Sequence, residues 1–198
     1  MKLYLSVIGV AMAIVSAFNI AFGVASWYYV IIATVWCTAL QFALDGGLAI
    51  IINKLPDRWF GIENRLYNVS EREKKLYRIL KVRKWKDYVW ELGGLGGFSK
   101  KHFSAPDDPL YVERFIIECN KGVLTHRLSY PAGFLVMLTL NGTAVFSIAL
   151  PVAIVNLFLN ILPTLALRYN TPMLKAVLVR LKRKQARDQK EKELQPVI

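Results

Sequence analysis

The stretch LYLSVIGVAMAIVSAFNIAFGVA, from Leu3 to Ala25, decides the fold, because it is apolar almost throughout and carries no charge. A helix needs about 20 such residues to cross the roughly 30 Å of hydrocarbon in a bilayer. A cleavable signal peptide is the competing interpretation, but its apolar core would be shorter than this run. We therefore predict that residues 3–24 form a membrane-spanning helix.

A second apolar run follows almost at once, from Trp27 to Ile52. It opens on aromatic rings, which favour the headgroup level of a bilayer, so we predict a second span over residues 27–52. Its polar residues share one helical face: Thr34, Thr38, Gln41 and Asp45. An acid inside a span usually faces a bundle interior or a wet cavity. Asp45 therefore indicates either helix packing or a function, and the pattern leaves both open.

The composition supports a membrane protein and narrows its partners. Of the 198 residues, 55% are hydrophobic and 20% are charged, and the mean hydropathy is +0.34, which excludes an ordinary soluble domain. The net charge of +12 suits anionic lipid or an anionic co-substrate. Nucleic acid fits poorly, because most of the chain would lie in the bilayer. Cys37 and Cys119 match neither a metal-site spacing nor a disulfide framework, so we predict no metal.

Basic residues concentrate in two segments, and this sets the predicted topology. Residues 53–127 contain 16 Lys and Arg against 10 Asp and Glu, and residues 168–198 contain 9 against 3. Cytoplasmic segments carry an excess of Lys and Arg, so both segments and both termini are predicted to be cytoplasmic. An even number of spans must then separate them. We place these two further spans at residues 128–140 and 145–167.

The expected fold is an all-α integral membrane protein with about four transmembrane helices, forming a single membrane domain over residues 1–198. A cytoplasmic, partly helical interfacial loop connects the second and third spans. Within this loop, Ser70 and Glu73 have the spacing of a capping box. The apolar and basic residues after them alternate as in a helix that lies in the membrane interface.

Two more helices are predicted outside the spans. Asp108 and Pro109 are typical of a helix start, and this helix should run to about Leu124. The chain after Asn170 is predicted to form a separate basic helix, Met173–Lys192, on the anionic leaflet.

Several short motifs occur in an order that resembles a known family. They are VRKWK (Val82–Lys86), KKHF (Lys100–Phe103), Glu113 with IIE (Ile116–Glu118), His126, and NILP…RYN (Asn160–Asn170) with a basic tail. In this order they resemble the bacterial glycosyl-4,4'-diaponeurosporenoate acyltransferases, which add a fatty acyl chain to a sugar hydroxyl of a carotenoid. The resemblance implies a multi-pass protein of the bacterial cell membrane. It also implies these shared functional positions: His102, Glu113, Glu118, His126, Arg168, Tyr169 and Asn170.

Acyl transfer from a thioester to a hydroxyl needs a base for the hydroxyl proton and a donor for the developing oxyanion. Histidine titrates near neutral pH, so we predict that His126 is the base and that Glu113 or Glu118 orients it. His102, or a lysine or arginine, is predicted to stabilise the oxyanion.

Substrate contacts are expected from basic and polar residues of the loop, the fourth span and the tail: Arg83, Lys84, Trp85, Lys86, Lys100, Lys101, Asn156, Asn160, Arg168, Tyr169 and Asn170. The basic loop suits the phosphates of acyl-CoA, which is the expected co-substrate. Acyl carrier protein and phospholipid are alternative donors, and no permanently bound cofactor is expected.

Two interpretations of the function remain open. In the first, the protein is a membrane acyltransferase whose partners are the bilayer, an acyl donor and a glycosylated lipid acceptor. In the second, it is a non-catalytic membrane protein that binds anionic lipid and organises a lipid or carotenoid pathway. Both explain the basic loop and tail, but only the first requires His126 and the acids. Asn156 and Asn160, one helical turn apart, likewise fit either helix packing or a substrate groove.

Overall fold

The computed structural model of the chain describes residues 2–89 and 103–194, and the regular secondary structure in these ranges is helical. Within them, six α-helices follow in order: α1 (Lys2–Ala21), α2 (Trp27–Asn53), α3 (Glu71–Ile79), α4 (Val82–Trp85), α5 (Pro109–Ala132) and α6 (Leu150–Leu194). In the described ranges, four shorter 3₁₀ segments lie between these helices: Asp57–Phe60, Arg65–Tyr67, Lys86–Tyr88 and Gly133–Thr139. One π-helical turn, Val145–Ala149, directly precedes α6. The prediction of an all-α protein is confirmed.

Three helices in the described residues are long and apolar enough to cross a membrane, and they indicate a membrane protein. Two of them are α1 and α2, which match the first two predicted spans. The third, Val145–Glu191, contains the predicted span at residues 145–167. Residues 128–140 are not among the three, because the last turns of α5 give way there to the 3₁₀ segment Gly133–Thr139. The count of four spans stays a prediction.

The described residues form two compact units. The first unit consists of residues 2–54, 88–89 and 123–164, and the second of residues 55–87, 103–122 and 165–194. Helices α5 and α6 each contribute residues to both units. This division does not test the prediction of a single membrane domain.

In the first unit, α1 packs antiparallel to α2. Ser16 in the second half of α1 donates to Thr34 over 3.4 Å, and Thr34 donates in turn to the carbonyl of Val30 over 2.8 Å. Tyr4, at the other end of α1, lines the same pocket as Asp45 near the end of α2. Side-chain hydrogen bonds of this kind hold helices together in a bilayer, where burial of apolar surface alone does not favour association.

Helix α6 runs parallel to α2 in the same unit. Val30, near the start of α2, packs with Ile148 just before α6, and Cys37 packs further along with Val152. The 3₁₀ segment runs the opposite way along α2, as two contacts show. Trp36 Nε1 lies 3.3 Å from Thr139 Oγ1, whereas Gln41, further along α2, donates to the carbonyl of Gly133 over 2.7 Å. The first unit is thus an up-and-down arrangement of four segments.

The second unit has its own hydrophobic core. Its buried apolar side chains come from the 3₁₀ segments and from parts of all the helices in the unit: Phe60, Tyr67, Tyr77, Val82, Val112, Phe115, Ile116, Cys119, Ala166, Leu167, Leu174 and Leu178. Lys121 closes one side, with Nζ 2.6 Å from Oδ1 of Asp57 and 5.8 Å from the Phe60 ring centroid. The region predicted as an interfacial loop therefore packs as a helical body.

Two predicted helix starts in this unit are confirmed. Ser70 Oγ accepts from the main-chain N–H of Glu73 over 3.2 Å, which begins α3. Asp108 Oδ1 accepts from the N–H of Leu110 over 2.9 Å, and α5 begins at Pro109.

Two predicted helix ends are wrong. Helix α5 continues past Leu124 to Ala132, and α6 continues through Asn170 to Leu194. The predicted separate helix Met173–Lys192 is therefore part of α6. An interior proline costs about 3 kcal/mol, but side chains that are packed before and after Pro172, including Leu167 and Leu174, outweigh that cost.

Candidate active site

Three polar side chains of the first unit form a hydrogen-bonded chain that includes His126. Nδ1 of His126 lies 2.8 Å from Oδ1 of Asn160, and Nδ2 of Asn160 lies 3.1 Å from Oδ2 of Asp45. Helices α5, α6 and α2 each supply one member. Asn160 is only 4% exposed, so these hydrogen bonds form in a low-dielectric interior, where they are stronger than in water.

The acceptors around Asn160 fix the positions of the protons. Its Nδ2 faces the Asp45 carboxylate, the Asn156 carbonyl at 3.0 Å and Asn156 Oδ1 at 3.2 Å. Since these oxygens accept hydrogen bonds, the NH₂ group of Asn160 must point toward them and its Oδ1 toward His126. Nδ1 of His126 therefore carries a proton. In the neutral imidazole the lone pair then lies on Nε2, which can act as a base.

A second side-chain contact joins α5 and α6, four residues further along each helix. The Tyr130 hydroxyl donates to Thr164 Oγ1 over 2.8 Å, four residues after His126 and Asn160 respectively. Residues four apart lie on the same face of a helix. Two contacts therefore join this part of α5 to α6, and one of them is made by His126 itself.

Beside this chain, the backbone at Gly133 brings two carboxamides together. Gln41 and Asn156 are 4% and 6% exposed. A Cβ at position 133 would lie 2.9 Å from Asn156 Nδ2 and 3.2 Å from Gln41 Oε1. Only glycine leaves room for both carboxamides at this point.

A pocket adjoins these groups. The lining residues come from α1, α2 and α6 and are mostly apolar: Tyr4, Ile8, Ala11, Met12, Val15, Thr38, Gln41, Phe42, Asp45, Val152, Val155, Asn156 and Leu159. The polar residues Gln41, Asp45 and Asn156 connect this pocket to the histidine chain.

The second unit contains a buried ion pair between Arg168 and Glu73. Arg168 is 4% exposed, and it donates through Nε to Oε1 of Glu73 and through Nη2 to Oε2 over 2.7 Å. Nη2 also lies 3.0 Å from the carbonyl of Asn68. Tyr77 donates to the same carboxylate, and its ring lies edge-on to Tyr169 with centroids 6.0 Å apart. Bidentate pairing of this kind is strong and directional.

This ion pair sets the ionisation of its members. Burial raises the pKa of Glu73, but the hydrogen bonds from Arg168 and Tyr77 outweigh burial, and the pKa lies below its usual value. Burial also raises the pKa of the Tyr77 hydroxyl, and the neighbouring Glu73 carboxylate raises it further. At neutral pH Glu73 is therefore ionised and Tyr77 is neutral.

The lowered pKa of Glu73 predicts that acid weakens the fold. A carboxyl with a depressed folded-state pKa adds stability above its unfolded pKa, about 4.3 for Glu, and loses it as the pH falls through the folded value. We expect the melting temperature in detergent to drop below about pH 4, and to drop less in Glu73→Gln. If the melting temperatures of the wild type and of Glu73→Gln fall equally as the pH decreases, this assignment is contradicted.

The two predicted catalytic acids, Glu113 and Glu118, belong to the second unit. Glu113 Oε2 is 2.8 Å from Lys182 Nζ, and Glu118 Oε1 is 3.6 Å from Lys121 Nζ, both within the second unit. That Glu113 or Glu118 orients His126 stays a prediction, while the structure places Asn160 at Nδ1.

Several predicted substrate contacts also fall in the second unit. Arg83 and Lys84 are exposed on α4, Trp85 donates to the carbonyl of Leu80 over 2.9 Å, and Lys86 pairs with Asp87 at 2.8 Å. Tyr169 and Asn170 follow Arg168 in α6. Lys100, Lys101 and His102 lie outside the described residues.

Sequence reasoning missed how the site is assembled. The sequence predicts Glu73 only as part of a capping box, and it contains no sign of the close contact at Gly133. The pairing of Asp45 with Asn160 did have a signal, because two apolar helices that each carry a polar stripe bury those stripes best against each other.

Comparison with known proteins indicates a family. The family model for glycosyl-4,4'-diaponeurosporenoate acyltransferase matches residues 56–180. No curated protein and no solved structure matches the chain significantly.

Proposed function

Because the chain belongs to the glycosyl-4,4'-diaponeurosporenoate acyltransferase family, we propose that it moves a fatty acyl group from a cytoplasmic thioester to a hydroxyl of a glycosylated carotenoid or related glycolipid. Acyl-CoA is the proposed donor, since its phosphates suit the exposed cations of the second unit. The membrane-spanning helices suit an acceptor that stays in the bilayer.

The observation that carries this proposal is the chain from His126 through Asn160 to Asp45. Burying a carboxylate in an apolar bundle is costly, and such groups usually serve a function. Here the carboxylate orients an amide, and the amide fixes a histidine with Nε2 as the basic nitrogen. An imidazole whose orientation and tautomer are fixed by a hydrogen-bonded partner is the arrangement that activates hydroxyl groups in acyl transfer.

In the proposed reaction, Nε2 of His126 takes the proton of the acceptor hydroxyl while the hydroxyl oxygen attacks the thioester carbonyl carbon. The C–S bond of the tetrahedral intermediate then breaks, and the proton passes from the imidazolium to the leaving sulfur. Throughout the reaction, the Nδ1–H group of the imidazolium stays hydrogen-bonded to Oδ1 of Asn160. The Asp45 carboxylate, acting through the Asn160 dipole, favours the transient positive charge.

Purified protein should consume labelled acyl-CoA when it is supplied with a glycosylated carotenoid. Acylated product that appears only when acyl-CoA and acceptor are both present supports the proposal. Tight binding to anionic vesicles without any transfer would favour the non-catalytic alternative.

The exposed cations Arg83 and Lys84 of α4 are proposed to bind the donor phosphates. We expect Arg83→Gln/Lys84→Gln to raise the KM for acyl-CoA several-fold, with kcat nearly unchanged. Added salt should likewise raise the KM of the wild-type enzyme for acyl-CoA, because it screens exposed charges. Arg180→Gln/Lys184→Gln is the matched control on α6.

Weaker vesicle binding at unchanged donor KM would instead assign Arg83 and Lys84 to membrane attachment. Leu76, Ile79 and Leu80 are 45%, 74% and 42% exposed next to these cations. An apolar surface flanked by basic residues is suited to the bilayer interface, and charge removal would then act on attachment alone.

Both basic segments and both termini are proposed to be cytoplasmic. We expect a membrane-impermeant maleimide to label Asn141→Cys in intact cells, and Arg72→Cys only after permeabilisation. Both positions are exposed, while the native cysteines are buried. Labelling of Arg72→Cys in intact cells would place the second unit outside and exclude a cytoplasmic donor.

A further inference from the structure

Lys175 on α6 donates hydrogen bonds to two oxygens in the segment that precedes α3. Its Nζ lies 2.8 Å from the carbonyl oxygen of Ile62 and 2.8 Å from Oδ1 of Asn68. All three residues belong to the second unit. Both acceptors are neutral groups, so the amine is held in place without an opposite charge. Lys175 is also partly exposed, so a dissolved reagent can reach it.

The charges around Lys175 differ from those around Lys182, which lies two turns further along the same face of α6. Lys182 has its Nζ 2.8 Å from Oε2 of Glu113. Lys175 forms no ion pair with any residue that the structure describes. Its near charged neighbour is instead a cation, because Arg168 Nη2 lies 3.0 Å from the carbonyl oxygen of Asn68. A nearby like charge disfavours the ammonium form of an amine.

The geometry around Nζ suits a neutral amine. Such an amine has two N–H groups and one lone pair, and its two N–H groups match the oxygens of Ile62 and Asn68. The lone pair then stays available for a bond to an electrophile. Burial lowers the pKa of Lys175; the Glu63 carboxylate raises it in part, and the Arg168 guanidinium lowers it again, so that the pKa lies below its usual value.

We propose that Lys175 is a self-acylation site, at which the amine takes an acyl group from a thioester and keeps it as an amide. The Nζ lone pair attacks the thioester carbonyl carbon, the C–S bond breaks, and the proton lost from nitrogen passes to the leaving thiolate. The amide retains one N–H group, so it can donate to only one of the two oxygens. This inference rests on the proposed function in one respect, namely that the protein encounters acyl thioesters.

The N-acetylcysteamine thioester of decanoic acid tests this proposal, because it has no phosphate and needs no binding site for acyl-CoA. The full chain in detergent is incubated with this thioester without an acceptor, and acylated lysines are quantified by peptide mass spectrometry. We expect Lys175 to be acylated several-fold faster than Lys182 near neutral pH. Lys182 is the more exposed of the two, so solvent access alone predicts the opposite order. The ratio should fall as the pH rises, since both amines then become neutral.

Two nearly isosteric variants change the charge beside Lys175 in opposite directions. Asn68→Asp places a carboxylate against Nζ and favours the ammonium form, so Lys175 acylation should fall by roughly 10-fold or more. Glu63→Gln removes an exposed carboxylate that opposes the neutral form, so Lys175 acylation should rise by roughly 2- to 3-fold. Acylation of Lys182 should stay the same in both variants, which makes it the internal control.

A ratio of Lys175 to Lys182 acylation that stays constant with pH would assign the difference to solvent access and overturn the proposal. So would unchanged Lys175 acylation in Asn68→Asp, or acylation spread evenly over the exposed lysines. Failure of the proposed function would look different. Lys175 acylation by the phosphate-free thioester, without transfer to any acceptor, would leave this site intact. Acyl transfer to a glycosylated acceptor without acylation of Lys175 would remove the site and leave the reaction.

Discussion

His126→Ala should lower turnover by about 10²–10⁴, the usual cost of removing a general base. Expression and donor affinity should hardly change, because His126 is only partly buried. His126→Gln should be nearly as inactive, since an amide is not a base. Asn160→Leu should be less severe in turnover, but it should shift the pH profile of kcat, because the imidazole loses the partner at Nδ1. Initial rates with acyl-CoA and a glycosylated acceptor measure all three.

Arg127→Ala serves as the control, since Arg127 is an exposed neighbour on the same helix. Near-normal turnover in His126→Ala would remove the histidine from the reaction. If His102→Ala is then the inactive variant, the base and the oxyanion donor exchange roles. If both histidine variants keep their activity, the non-catalytic interpretation replaces the acyltransferase.

Arg168→Met should destabilise the protein by about 3 kcal/mol, because it leaves the half-buried Glu73 carboxylate without its cation. For a chain of this length that corresponds to a fall in melting temperature of roughly 10 °C. Arg168→Lys should recover only part of the loss, since an ammonium cannot bind both carboxylate oxygens as a planar fork does. Melting in detergent, followed by tryptophan fluorescence, measures the change.

Lys182→Met is the matched control for this prediction. Its ion pair with Glu113 has a similar N–O distance of 2.8 Å, but its side chains are 52% and 36% exposed, so about 0–1 kcal/mol is expected. The family resemblance implies a functional role for Arg168 instead. Loss of turnover in Arg168→Met at an unchanged melting temperature would support that role and contradict the structural one.

The first unit could largely be predicted from the sequence. Apolar runs define α1 and α2, and the polar stripe that ends in Asp45 does face the bundle interior. The partner of Asp45 could not be deduced, because charge and periodicity show which face is polar but not which residue lies opposite. Sequence alone therefore predicts that an acid on the same helix, Glu113 or Glu118, orients His126, whereas Asn160 is the residue at Nδ1.

The second unit was less predictable. Its buried residues are scattered over short helices and 3₁₀ segments, where no period of 3.6 can develop. The sequence pattern places Val82 on the apolar face of an interfacial helix, yet Val82 is buried in the protein. Arg168 lies 95 residues from its partner Glu73. Tertiary packing decides such contacts, and a single sequence contains no local signal for them.

The 3₁₀ segment Gly133–Thr139 has a consequence for the lipid around the protein. A 3₁₀ helix rises about 2.0 Å per residue and an α-helix about 1.5 Å, so residues 128–139 extend about 22 Å as the proposed third span. That is roughly 8 Å less than an average hydrocarbon core. Lipid beside this segment has to thin to meet it, at a cost of fractions of a kcal/mol per Å. As the proposed third span, this segment would favour membranes with shorter acyl chains and would bring the headgroups beside it closer to the middle of the bilayer.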